Sequence, residues 1–314
     1  MNNNNLHAIG VMSGTSLDGI DVSYICSDGK STFCHKYSSL YKFRESTRKL
    51  LNNLINDFSK NKKNLSMIYT CENLVTEDYL NAINNFIKLN KIKKIDLIAL
   101  HGQTIFHSSS LKSSIQLCDG KYLAEKTNKL IVTDFRQKDL LNSGEGAPLV
   151  PIFHKLLIDK LKIRKPCSFI NIGGISNITT QDIRGKLTAY DIGPGMCLLD
   201  KYVFLKKKKL YDNLGKYSAK GKINKNILRR LLSDKFFRKN SPKSLDRNYF
   251  SLNLVLRLNF YDACATLSAF TAYSIINSLK NINTQKIILS GGGVKNKFIF
   301  NIIKKNYENK VFLI

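Results

Sequence analysis

The chain has 314 residues of which 43% are hydrophobic, enough for ordinary cores and, at about 150 residues per domain, for two domains. Its formal net charge of +27 admits nucleic acid, an anionic membrane or an acidic substrate as partners, but the lysines are scattered among abundant Asn and Ile, which reads as compositional drift rather than one binding stripe. No apolar stretch has the length of a membrane helix, "MNNNNLHAIG" lacks the charged flank and apolar run of a secretory leader, and no aromatic and basic residues interleave as in a single-strand-binding groove.

The expectation is therefore a soluble cytoplasmic protein with neither nucleic acid nor membrane as a partner. Cysteines at 26, 34, 71, 118, 167, 197 and 264 are widely spaced, odd in number and without a CxxC pair. Neither a zinc site nor a disulfide framework is indicated; reduced, mostly buried thiols are expected.

In chain order, "HAIGVM" runs into Ser13, Gly14, Thr15 and Ser16, after which Ile20, Val22 and Tyr24 alternate with polar neighbours as in a returning strand. "FRESTRKLLNNLINDF" then carries helical spacing. "IDLIAL" ends in "HGQT" at 101–104 and "KLIVT" ends in "DFR" at 134–136. "DKLKIRKP" interrupts the pattern, so a division near residue 160 is expected, giving domains 1–160 and 161–314. Beyond it "SFINI" ends in "GGISN" at 173–177, "LKKKKL" at 205–210 reads as a solvated loop, "ACATLSAFTAYSIINSLK" is helical, and "KIILS" ends in "GGG" at 291–293. The class is α/β. Strands that repeatedly deliver polar residues at their carboxyl ends are a functional signal, because ligands of open α/β sheets collect there.

Two small-residue hairpin loops, "SGTS" and "GGIS", fall one in each half. Either is an ordinary turn or a cradle whose backbone N–H groups and hydroxyls hold a polyphosphate from both sides of a cleft. In the second case Asp18, with Asp21 or Asp191, is the candidate ligand of Mg²⁺, which takes few carboxylates and keeps several waters. The common nucleotide motifs are absent: there is no GxxxxGK[ST], and no GxGxxG opens a helix after a strand.

"GVMSGTSLDGID", "HGQT", "TDFRQKDLLNSGEGAPLVPIFH", "NIGGISN", "DIGPG", "PKS" followed by Arg247, and "SGGGVKN" stand in the order in which they occur in the anhydro-N-acetylmuramic acid kinases, which this chain resembles from residue 8 to about residue 300. The resemblance implies a two-lobed actin/hexokinase-like (ribonuclease H-like) ATPase fold with an interdomain cleft, typically a homodimer. It implies an enzyme that converts 1,6-anhydro-N-acetylmuramic acid, ATP and water to N-acetylmuramic acid 6-phosphate and ADP in peptidoglycan recycling, with ATP and Mg²⁺ required.

By the same resemblance Gly14, Thr15, Ser16, Leu17, Asp18, Gly19, Ile20 and Asp21 form the first phosphate loop, and Gly173, Gly174 and Asn177 the second. Gly291, Gly292 and Gly293 border the nucleoside. His101, Gly102, Gln103 and Thr104 line the sugar pocket and Asp134 is the catalytic base; read from the residues themselves, Arg136 is a further expected substrate-binding residue, and Asp18 and Asp191 are the expected metal ligands. Opening the anhydro bridge needs water at the anomeric carbon and capture of the departing O6. If the γ-phosphoryl group captures O6, the second carboxyl of an ordinary glycosidase is unnecessary. Arg136, two residues on in strand spacing, is expected on the same side as Asp134, keeping it ionised and aimed, or simply salt-bridged to it. His101 is expected to bind rather than to transfer protons; a satisfied core histidine is the other reading.

Met196 stands where the family usually has Asn, Glu145 where Gln is common, and Lys295 where His is usual. The family pattern continues beyond "NKVFLI" with a loop and a final helix whose Glu contacts the sugar. On that ground the alternative expectation is a degenerate ATP-binding member without sugar kinase activity. A basic nucleic-acid-binding protein is the third reading, carried by charge alone.

Overall fold

The computed structural model describes residues 5–14, 17, 19–59, 64–280, 282–308 and 310–313. The chain divides into two compact units, residues 1–146 and 147–314. In the first, β1 (Leu6–Ser13), β2 (Ile20–Ser27) and β3 (Phe33–Tyr41) are followed by α1 (Glu45–Ser59), α2 (Leu65–Leu89), β4 (Leu97–Ser108), β5 (Ser113–Leu117), α3 (Gly120–Thr127), β6 (Leu130–Val132) and α4 (Gln137–Leu141). In the second, α5 (Pro151–Lys160) precedes β7 (Cys167–Ile172), β8 (Ile175–Gln181) and β9 (Leu187–Pro194). Then come α6 (Cys197–Lys207), α7 (Lys225–Leu232), α8 (Lys235–Arg238), α9 (Phe260–Leu279), β10 (Lys286–Ser290), α10 (Lys297–Asn306) and β11 (Val311–Leu313).

Both units are built on one plan. The first sheet has the order β3-β2-β1-β4-β5 with β6 also on β4, and the second β11-β10-β7-β8-β9. In each, an antiparallel three-strand meander is joined at its first strand to a parallel strand, β1 to β4 and β7 to β10, and that strand to another parallel one, β6 or β11. This is the ribonuclease H-like strand order in duplicate, the arrangement of the actin/hexokinase-like ATPases.

Local sequence explains the elements. Ile9, Val11 and Ser13 of β1 are buried at period two. In α1, Thr47, Leu51, Leu54, Ile55 and Phe58 are buried at spacings of three and four, and α2 begins where the Asn64 side chain accepts the N–H of Met67. Residues 263–272 of helix α9 are all buried, Thr266, Ser268 and Thr271 included; it is a core helix rather than an amphipathic one. Among the described residues no helix is long and apolar enough to cross a membrane.

Three sequence expectations are revised here. "HGQT" does not end its strand, because β4 continues to Ser108. The first part of "LKKKKL" completes α6, with Lys206 and Lys207 in its last turn and Lys208 as its left-handed cap, where cations complement the helix dipole. The units part at residue 146 rather than near 160, because α5 packs on β8 and β9. His154 of α5 is buried, bonded through Nδ1 to Thr179 Oγ1 at 2.8 Å, and stacked on Phe169 with ring centroids 4.5 Å apart.

Burial lowers the His154 pKa to about 4, against about 6.5 for the unfolded chain. Below pH about 6.5 the unfolded state takes up a proton that the folded state refuses, so stability is lost as pH falls from about 6.5 toward 4. Thermal melts at pH 7 and pH 5 should differ by a few degrees less in His154→Gln than in the natural protein.

Candidate active site

In the first unit the site grows from a change of partner within β4. Residues 97–100 pair parallel with β1, and residues 97–99 also with β6. Beyond a register shift, residues 103–108 run antiparallel to β5. Gly102 sits at the change with φ +77°, backbone that favours glycine. A cavity of about 260 Å³ opens there, lined by His101, Gly102, Gln116, Cys118, Thr133 and Asp134 among others.

Asp134 lies just beyond the end of β6, exposed and in the left-handed region at φ +60°. The expected pairing with Arg136 is not made: no ion pair joins the two. The chain has left the strand by Thr133, and Arg136 is already the N-cap of α4, so the two-residue spacing no longer puts both side chains on one face.

Arg136 holds His101 instead. Its Nε and Nη2 donate to His101 Nε2 at 3.0 and 2.9 Å, and its Nη1 donates to the Gly146 carbonyl at 2.6 Å. Guanidinium only donates, so His101 Nε2 must be the accepting nitrogen and the ring proton sits on Nδ1, which donates to the Gly102 carbonyl at 2.8 Å. Burial, and after it the Arg136 charge, lowers the His101 pKa to about 4. His101 is thus a neutral imidazole with both nitrogens engaged, a brace for Arg136 rather than an acid. Asp139 supports the same corner. Its Oδ2 accepts the Gly146 N–H at 2.7 Å, closing the "NSGEGAP" loop whose carbonyl meets the guanidinium.

Gln103 departs from the expectation that it lines the sugar pocket. It is fully buried, its Oε1 accepts from Ser13 Oγ at 2.7 Å, and its Nε2 donates to the carbonyls of Gly14 and Thr104 at 3.4 and 3.1 Å. It faces the β1–β2 turn. Thr104 likewise is not among the residues that line the cavity; its Oγ1 accepts from Gln116 Nε2 at 3.3 Å.

That turn closes where Ser13 pairs with Ile20. Of its expected phosphate-loop residues, Thr15, Ser16 and Asp18 lie outside the described residues. Leu17 adopts φ +59°, donates its N–H to the Gly14 carbonyl at 3.1 Å and is 2% exposed. Ile20 is wholly buried. The side chains of Leu17 and Ile20 therefore root the turn in the core, leaving only their backbone to meet a ligand. Asp21 is exposed, opposite Met12.

In the second unit three segments meet at the carboxyl end of β7. The Gly173-Gly174 turn offers its carbonyls to the start of α6: Gly173 O accepts Met196 N–H at 2.8 Å, and Gly174 O accepts Gly195 and Cys197 N–H at 2.9 and 3.1 Å. A Cβ on Gly195 would lie 2.1 Å from Gly173 O. Next to it, Ser290 pairs with Asn171, and Gly291 to Gly293 turn back over β7, so closely that a Cβ on Gly293 would lie 2.3 Å from Ile172 Cγ2. Met196 is half-buried and packs between two apolar clusters; as N-cap of α6 it makes no side-chain bond, the glycine carbonyls having taken over the amides.

Asn177 and Asp191 are neighbours across β8 and β9. Asn177 Oδ1 is buried with no hydrogen-bond partner among the described residues, an orphan acceptor beside the glycine turns. Asp191, buried, is joined to the "PKS" segment in both directions: its N–H donates to Lys243 O at 2.9 Å and its Oδ2 accepts the N–H of Leu245 at 2.8 Å. At least one of its oxygens is a structural staple rather than an open ligand. Among the described residues no group of three or more His, Cys, Asp or Glu is placed to hold a metal ion.

The family model described as anhydro-N-acetylmuramic acid kinase matches residues 6–311. The chain belongs to the anhydro-N-acetylmuramic acid kinase family. It is 38% identical over 319 residues to the anhydro-N-acetylmuramic acid kinase of Pelagibacter ubique, covering 98% of this chain and 84% of that one. It is 38% identical over 302 residues to the enzyme so named from Zymomonas mobilis, with 92% and 81% covered, and 36% identical over 306 residues to that of Rhodopseudomonas palustris strain CGA009, with 95% and 83% covered. The family names a sugar kinase, and the kinase reading of the sequence stands.

Ser13 and Asp139 lie inside the quoted motifs but had been given no role of their own, because they act by supporting other residues, whereas Gln116 of the cavity wall lies outside every motif. The glycine contacts give a paired test. Gly195→Ala should cost about 1–3 kcal/mol in a urea melt, whereas Gly292→Ala, whose Cβ would have nothing within 4 Å, should leave the midpoint nearly unchanged.

Proposed function

We propose that this kinase takes 1,6-anhydro-N-acetylmuramic acid, ATP and water to N-acetylmuramic acid 6-phosphate and ADP, the step that returns the anhydro sugar to metabolism in peptidoglycan recycling. The observation that carries it is one cavity lined by both an exposed carboxylate, Asp134, and a neutral imidazole, His101, that holds the charged Arg136. A base that accepts a proton from water must be ionised and reachable by solvent, and Asp134 is exposed.

Asp134 takes a proton from the water that attacks the anomeric carbon. The bond from that carbon to O6 breaks as the new carbon–oxygen bond forms, and O6 bonds to the γ-phosphorus, releasing ADP. Arg136, fixed by His101 and the Gly146 carbonyl, presents a permanent positive charge to the acidic sugar. The backbone of Gly14 to Asp21 and of Gly173 and Gly174, with the side-chain NH₂ of Asn177, binds the phosphates through N–H groups. Gly291, Gly292 and Gly293 border the nucleoside.

Mg²⁺, when bound, neutralises phosphate charge and orients the transferred group. Asp18 and Asp191 are its proposed protein ligands, Asp191 acting through water because Leu245 already engages its carboxylate. We place the enzyme in the cytoplasm, where its seven free cysteines remain reduced, as a homodimer.

Incubated with ATP, Mg²⁺ and the anhydro sugar, the purified protein should form ADP and the 6-phosphate in equal amounts. In heavy-oxygen water the label should enter the sugar and not the phosphate group. Asp134→Asn should lower kcat by about 100-fold or more while ADP still binds; free labelled phosphate, or no product at high enzyme concentration, would refute the assignment.

A further inference from the structure

A buried chain of hydrogen bonds links helix α2 to both expected substrate regions of the first unit. Tyr79 of α2, Ser13 at the end of β1 and Gln103 of β4 are 0%, 1% and 0% exposed. Tyr79 OH and Ser13 Oγ are 2.5 Å apart, Ser13 Oγ is 2.7 Å from Gln103 Oε1, and Gln103 Nε2 reaches the carbonyls of Gly14 and Thr104.

Donors and acceptors fix the direction of every link. Two carbonyls face the Gln103 NH₂ group, so the opposite atom is the amide oxygen, which only accepts. Ser13 must therefore give its single proton to Gln103, and Tyr79 must give its own to Ser13. The run is Tyr79 to Ser13 to Gln103 to the Gly14 carbonyl, with no freedom to reverse.

A phenol is a costly choice at a site that packing alone would fill with Phe. Tyr79 is stacked against Phe43, centroids 6.4 Å apart, and its hydroxyl loses water on burial unless it finds a partner. Its hydroxyl meets no other residue than Ser13 in the hydrogen bonds of the described structure. What the hydroxyl adds is thus the position of Ser13, and through it of Gly14, the first residue of the turn assigned to ATP phosphates. Gln103 is also next but one to His101, which braces Arg136 at the cavity. One directed chain sets both the phosphate turn and the strand that carries the cavity wall.

We propose that Tyr79 is a positioning residue for phosphoryl transfer: through Ser13 and Gln103 it holds the backbone of Gly14, at the head of the β1–β2 turn, at a fixed place relative to the His101-Gly102 segment. This rests on the assignment of that turn to nucleotide. Removal of the hydroxyl leaves the ring's packing intact but frees Ser13 to turn away from Gln103 and lets the Gly14 carbonyl drift.

The test is Tyr79→Phe, with Ser13→Ala and the double variant, read by steady-state kinetics, calorimetric ADP titration and thermal melting. Tyr79→Phe should melt as a folded protein, bind ADP or use ATP about tenfold less well, and change KM for the anhydro sugar less than twofold. Because both residues act in one chain, the double variant should lose no more than the worse single variant. Wild-type kinetics and ADP affinity in Tyr79→Phe, or losses that multiply in the double variant, would overturn the proposal. If the natural protein binds ADP but does not turn over the sugar, the function proposed above fails, and the ADP titrations still decide the role of Tyr79 alone.

Discussion

Parallel pairing of β1 with β4 and of β7 with β10 governs where every residue of interest emerges. Parallel neighbours end at the same edge of a sheet, so the segments that follow them are brought side by side however far apart they lie in sequence. In the first unit that edge gathers the β1–β2 turn, His101 at the end of the parallel run of β4, and Asp134 just past β6, which is also parallel to β4. In the second it gathers the Gly173-Gly174 turn and Gly291 to Gly293. Ile98, Leu100, Ile170, Ile172, Ile287 and Leu289 on these central strands are all buried, so the edge is anchored by apolar packing and its polar residues need not be.

The two units support their equivalent turns by different means. The β1–β2 turn is held by side chains: Leu17 and Ile20 in the core, Ser13 and Gln103 in a hydrogen-bonded chain. The β7–β8 turn is held by backbone, its carbonyls capped by the first amides of α6. A backbone contact of that kind tolerates no Cβ at Gly195, and it also explains how Met196 is accommodated at the N-cap, where Asn would ordinarily supply a side-chain acceptor. The amides are satisfied from the turn, and the thioether fills apolar space.

Charge at the cavity is arranged by exclusion. Arg136 lies against an imidazole kept neutral by burial and by the guanidinium itself, and no ion pair joins it to Asp134. Asp134, a short step away in sequence, is left to solvent. Had the strand continued through Thr133, as the spacing of the two residues suggested, the carboxylate and guanidinium would have cancelled one another. The left-handed backbone at Asp134 is what separates them.

Much of this was determined by sequence alone. Alternating apolar runs gave the β1–β2 and β7–β8 hairpins, helical spacing gave α1 and α9, and the ordered motifs gave the family, because these are local patterns with a fixed period. Tertiary structure decided the rest. Only three-dimensional packing shows that β4 runs on through "HGQT", since a bulge at Gly102 and a new partner in β5 are non-local events; that Gln103 turns inward to Ser13; and that α5 joins the second unit through His154. The same holds for Asp191, whose carboxylate is committed to a segment more than fifty positions along the chain. Residue type and spacing specify what a side chain is able to do, whereas its partner is chosen by strands and helices that meet only after the chain has folded.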